Sequence, residues 1–172
     1  MKLTQTLLIS CVALAACAPF AAAAQDAGSS ADVAAESTPR LDPTAPDPAP
    51  PHPHLVGVFQ DFGGMPGMTA LMEDFMANLL ADKRTAHFFE GKDLPRVKRE
   101  LAEQFCAILG GGCSYSGRDM RTAHAGMNVD RAAFNALVED LQLAMDKHKV
   151  PFRSQNKLLA ILAPMHREVV AP

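Results

Sequence analysis

The chain has 172 residues and a formal net charge of −3 at pH 7, and its 16 Lys and Arg are scattered rather than clustered. That balance carries no electrostatic footprint for a nucleic acid, so DNA and RNA binding are excluded as the leading function. Eight of the 13 prolines fall in the first 54 residues; the remainder is rich in Leu, Met, Phe and Val, lacks Trp, and is long enough for one domain with a single core.

Lys2 followed by an apolar run from Leu7 to about Ala16 predicts a secretory signal, too short to serve as a permanent anchor. Two processing sites compete. Leu14-Ala15-Ala16-Cys17 matches the lipobox of bacterial lipoproteins and would attach the chain to a membrane through an acylated Cys17. Ala22-Ala23-Ala24 fits ordinary signal-peptidase cleavage. Residues 1–24 therefore read as a signal peptide, and the expected location is outside the cytoplasm, in a bacterial periplasm. Residues 25–54 include "STPRLDPTAPDPAPPHPH", a Pro/Ala-rich stretch with almost nothing to bury; it reads as a disordered tether in which His52 and His54 are ordinary linker residues.

Residues 55–172 form the predicted domain. Its periodicity is helical, with no convincing strand and no internal repeat, so the fold class is all-α. A short helix over 56–62 stops at Gly63-Gly64. Pro66 then opens a helix whose apolar face is Met68, Leu71, Met72, Phe75, Met76, Leu79 and Leu80. Residues 82–89 read as a turn and a short helix. Asp93 caps the next helix, with Pro95 in its first turn and Leu94, Val97, Leu101, Phe105, Ile108 and Leu109 on one face, ended by the glycines at 110–112. A two-turn helix over 119–125 stops at Gly126, and Asp130 opens a long helix bearing Phe134, Leu137, Val138, Leu141 and Met145. The last helix, 152–169, is expected to kink at Pro164.

Cys11 and Cys17 belong to the signal region, leaving Cys106 and Cys113 in the domain. In an oxidising compartment this pair has a disulfide open to it. The competing reading, which the sequence favours, is a small buried Cys106 and a free Cys113.

The chain has no C-x-x-C, H-E-x-x-H, P-loop or dinucleotide fingerprint. His87, His148 and His166 read as surface or interhelical residues. His124 is different in context: it ends a short helix between two long apolar ones, beside Met120, Ala123 and Met127. It is a packed core histidine, a metal ligand or a catalytic base. As an axial haem ligand it would need a wide apolar slot around one neutral imidazole, and Phe89, Val97, Leu101, Phe105, Phe134 and Leu137 would supply one.

The domain resembles the group 1 truncated haemoglobins, short two-on-two globins. The resemblance is carried by "VFQDFGGMPGMTALMEDFM" at 58–76, "LLADKRTAHFFEGKDLP" at 79–95, "FCAILGGG" at 105–112, "YSGRDMRTAHAGM" at 115–127 and "ILAPMHREVV" at 161–170, in order and at the family's spacing. It implies a shortened globin fold around haem b (iron protoporphyrin IX), with His124 as the proximal iron ligand. It also implies that Phe89, beside Phe88, packs on the porphyrin face and that Arg121 reaches a haem propionate. Gly63-Gly64 and Gly110-Gly111 match the family's turn glycines. Met120, Phe134 and Leu137 join Phe105 in the expected pocket.

The departures concern the side of the haem where a gas would bind. Met76 stands where the family places a tyrosine, Val97 and Leu101 where polar residues are common, and Glu100 where a basic residue is common; Gln104 is the nearest polar candidate. A gas that gathers negative charge on binding, dioxygen above all, gains from a hydrogen-bond donor worth ~1.5–3 kcal/mol, and this pocket is expected to lack one. The implied function is reversible binding of a diatomic gas, O₂, NO or CO. The alternatives are a six-coordinate haem with Met76 as second axial ligand, serving electron transfer or redox sensing, and NO detoxification. Catalysis is the less favoured reading: NO dioxygenation needs firmly held O₂ and a reductant, and a peroxidase needs a distal acid or base. The sequence names no redox partner.

Overall fold

The computed structural model describes residues 50–171; the predicted signal peptide, both processing sites, Cys17 and most of the tether lie outside the described residues. Among the described residues every regular element is helical. In chain order they are α1 (Val56–Asp61), α2 (Gly64–Ala81), α3 (Leu94–Ile108), α4 (Met120–His124), α5 (Arg131–Lys147), α6 (Phe152–Leu162) and α7 (His166–Val169). Three-residue 3-10 turns, Pro53–Leu55 and Ala163–Met165, and a four-residue one, Ala86–Phe89, complete the set.

The helix starts follow local chemistry. Asp93, Asp119 and Asp130 each precede a helix, and their carboxylates accept from the backbone N–H of Arg96, Thr122 and Ala133, satisfying donors that a helix leaves open. The junction of α1 and α2 depends on two glycines. Gly63 has φ +81°, and a Cβ at Gly67 would sit 2.0 Å from the Phe62 carbonyl oxygen. At Pro164 the final helix divides into α6, a 3-10 turn and α7, which is the expected kink: Pro164 cannot donate an N–H to the carbonyl one turn back.

α2 is the central element, packed against α3 on one side and α5 on the other, while α6 rests on α5 and α1. Met68, Leu71, Met72, Phe75, Met76 and Leu79 are all buried. Leu80, predicted for the same face, is 43% exposed, because it follows Leu79 by one residue and so turns about 100° away from it. Phe105, Cys106, Leu109, Leu141, Met145 and Leu158 close the core. Truncating a fully buried Phe such as Phe75 to Ala costs about 3–5 kcal/mol in cores of this kind. His52, read as a linker residue, is tied to the domain: its backbone N–H donates to the Ile108 carbonyl at 3.0 Å.

One expectation is corrected. Cys106 and Cys113 form a disulfide, with Cα atoms 5.7 Å apart. Gly110, Gly111 and Gly112 turn the chain back after α3, and a Cβ at Gly111 would fall 2.6 Å from Cys106 Sγ and 2.7 Å from the Phe59 ring. The glycine turn that ends α3 is what brings the two sulfurs together.

Candidate functional site

The helices enclose a cleft with about 1270 Å³ of atom-free space, part of it open to solvent. Its walls come from separate parts of the chain. α3 supplies Val97, Leu101, Gln104 and Phe105, with Val97, Gln104 and Phe105 each three or four residues from Leu101 and so on one face. α2 contributes Phe75 and Leu79, the 3-10 turn Phe88 and Phe89, and α5 Phe134 and Leu137. Leu162, Met165 and Val169, from α6 and the chain beyond it, close one end.

α4 brings Met120 and His124 to the same cleft. It is only five residues long and is fixed at its start by Asp119, whose carboxyl the Thr122 bonds hold below its ordinary value. His124 Nδ1 lies 2.8 Å from the Met120 carbonyl oxygen. A carbonyl only accepts, so Nδ1 carries the proton and donates, and in the neutral ring Nε2 is left with a free lone pair. That is the state in which imidazole binds a metal, with its other nitrogen anchored to orient the ring. The second neighbour, Gln104, is buried, and its amide donates to the Met120 sulfur at 3.7 Å, a weak acceptor.

Nine of the eleven residues expected at the site therefore share one cleft wall: Phe88, Phe89, Val97, Leu101, Phe105, Met120, His124, Phe134 and Leu137. Two do not. Met76 is buried but off the wall, because the α2 stripe facing the cleft is Phe75 and Leu79, and Met76 lies about 100° round the helix from Phe75. Arg121 is also off the wall; its guanidinium pairs with Glu168 of α7, 2.6 Å from the carboxylate.

The cations on the wall are instead Lys92 and Arg118, both exposed side chains at the rim. Sequence reading passed over them because each sits in a turn with no periodic pattern to mark it. The acidic side chain on the wall, Glu100, is held by Arg96 at 2.7 Å. The cleft thus combines an apolar interior, one oriented imidazole and a cationic rim. That set suits a flat apolar macrocycle with a metal centre and acidic edge groups, so the residues fit a haem.

The histidines read as structural behave so. His148 Nε2 bonds Asp74 at 2.8 Å, His87 lies on the Phe88 ring at 3.9 Å between centroids, and His166 meets Phe134 edge-on at 5.0 Å.

Comparison with known proteins agrees with this geometry. The bacterial-like globin family matches residues 57–171, more than half of the chain. A group 1 truncated hemoglobin GlbN of Mycolicibacterium paratuberculosis is 29% identical over 112 residues, covering 65% of this chain and 82% of that protein. A group 1 truncated hemoglobin of Tetrahymena pyriformis is 33% identical over 84 residues, 49% of this chain and 69% of that protein. The crystal structure of the Tetrahymena pyriformis truncated hemoglobin in its Fe(III) form superposes with a TM-score of 0.64 at 26% identity, covering 67% of this chain and 98% of that one. The all-helical architecture is therefore that of a two-on-two globin. The chain belongs to the bacterial-like globins and, among them, to the group 1 truncated haemoglobins.

Proposed function

We propose that the domain holds one haem b in the cleft, with His124 Nε2 as the protein ligand to iron, and binds a diatomic gas reversibly. Haem supplies the redox-active, gas-binding iron; the chain supplies the rest. The observation that carries the reading is the His124 Nδ1–Met120 carbonyl bond at 2.8 Å, which in the neutral ring leaves Nε2 the lone pair, on a side chain that lines an apolar cleft. Phe88 and Phe89 would pack the ring, Lys92 and Arg118 would meet its carboxylates, and Val97 and Leu101 would keep water from the gas. With aliphatic side chains at 97 and 101, the pocket favours gases that gather little charge, CO and NO, over tight O₂ storage.

His124→Ala tests the iron ligand. The variant is expected to keep the helical fold and lose stable haem retention, read as the ratio of Soret to protein absorbance after gel filtration; full retention with unchanged coordination would overturn the assignment.

We propose also that the domain works outside the cytoplasm, released after Ala24 or anchored through an acylated Cys17. The Cys106–Cys113 disulfide supports this, since such bonds persist in oxidising compartments. Mass spectrometry of the mature N-terminus decides between the two forms: a diacylated Cys17 or a free Gln25, with an intact Met1 contradicting both.

A further inference from the structure

The segment between α3 and α4 is short and irregular, yet it carries Arg118 to the cleft rim and Asp119 to the cap of the His124 helix. α4 is too short to stand as a helix by itself. Its packing partner among the longer-range elements is α7, through the Arg121–Glu168 pair. Besides the weak Gln104–Met120 contact, two further ties come from α3, and both grip the preceding loop. The first is the Cys106–Cys113 disulfide. The second is Glu103, whose carboxylate accepts from the Ser116 backbone N–H at 3.1 Å and from the Ser116 hydroxyl. Between Ser116 and Asp119 the loop is held by its own bond, Tyr115 hydroxyl to the Arg118 carbonyl at 2.7 Å, with Gly117 lying against the Tyr115 ring.

These contacts form a chain from Cys106, in the core face of α3, to His124, which lines the cleft. Cys113 is bonded, Ser116 is clamped three residues later, Asp119 caps α4, and Met120 orients the imidazole. Cys106 is fully buried and belongs to the same face of α3 that packs the core, so its end of the bridge is seated in the core. Glu103 is half-buried, and its contact with the exposed Ser116 still competes with water. The covalent tie is the stronger of the two.

We infer that Cys106 and Cys113 are positioning residues for the haem site: their disulfide fixes the 112–119 loop and through it His124, so that opening the bridge loosens the proximal side and releases haem faster. The inference rests on the His124 reading proposed above. Opening takes two electrons and two protons from a dithiol reductant, which itself closes to a disulfide as Cys106 and Cys113 become two thiols. An exported domain meets such dithiols as thiol–disulfide exchange proteins, so haem retention would follow the thiol balance around it.

The test uses the intact haem-loaded protein before and after reduction by a dithiol, with the Cys106→Ala/Cys113→Ala variant as a second form without the bridge. Haem transfer to an apoglobin acceptor is expected to speed up roughly 10- to 100-fold in both, as for other supports of a metal ligand, and to recover when the reduced protein is reoxidised. Amide exchange in the haem-free domain gives an independent readout. Residues 112–125 are expected to lose protection when the bridge opens, while α2 and α5 keep theirs. Equal haem release and equal exchange with the bridge open or closed would overturn the inference, and so would a uniform loss of protection, which would make the bridge a general staple. A protein that takes up no haem would instead sink the His124 reading, and the exchange data would still report whether the bridge orders the loop.

Discussion

A backbone carbonyl one helical turn before His124 decides what its ring can do. By accepting from Nδ1, Met120 leaves the lone pair of the neutral ring on Nε2, in a side chain that lines the cleft. The same scale governs gas choice. Leu101 sits on the cleft wall in a largely apolar setting, and Leu101→Gln would introduce an amide donor there. The variant is expected to slow O₂ release about 10- to 150-fold in flash photolysis or stopped flow while changing CO release little, because the added bond is worth ~1.5–3 kcal/mol to the more charged ligand. Equal effects on both gases would mean that the new amide acts by crowding.

Asp140 is a residue whose chemistry the site does not use. It is buried on α5, its Oδ2 has no hydrogen-bond partner, and burial, with Asp82 and Glu139 nearby, pushes its carboxyl above the ordinary value, against a smaller opposing pull from Arg84. A raised folded-state pKa means that the native protein binds this proton more firmly than the unfolded chain. The stabilisation is complete below the ordinary value of 3.8 and is lost as pH rises through the raised one. Asp140→Asn, which mimics the protonated form, is expected to raise stability at pH 7 by about 1 kcal/mol in urea unfolding, with the gap closing in acid. A destabilised variant at pH 7 would show that the charge is stabilised by a partner.

At the scale of elements, the helices were legible because each has a period and a stop: the α2 and α3 stripes, the aspartate caps, the glycines at 63–64 and 110–112, and the break at Pro164. What escaped reading was direction within a helix and pairing between helices. Phe75 and Met76 are adjacent apolar residues, and nothing in the sequence tells which one faces the cleft. Arg121 pairs with Glu168, 47 positions away, and the Cys106–Cys113 bridge depends on the path of three glycines. The α1–α2 junction offers a direct check on packing. A Cβ at position 67 would lie 2.0 Å from the Phe62 carbonyl, so Gly67→Ala is expected to lower stability by about 1–3 kcal/mol in thermal or urea unfolding. An unchanged midpoint would mean that α1 can shift away freely.

The whole molecule is a helical frame in which α2, packed on both α3 and α5, holds the two sides of one cleft, and a five-residue helix presents the imidazole to it. The family resemblance carried the expected occupant of that cleft in the sequence; the cationic rim of Lys92 and Arg118 did not show there, because turn residues gain their meaning only from what the fold brings beside them. The central claim is an open, gas-binding haem on His124. The most direct measurement is the visible absorption spectrum of the purified domain as isolated, after dithionite, and after CO. A five-coordinate ferrous spectrum that shifts cleanly with CO is the predicted result; a six-coordinate low-spin ferrous spectrum, or no Soret band even after reconstitution with haem, would contradict it.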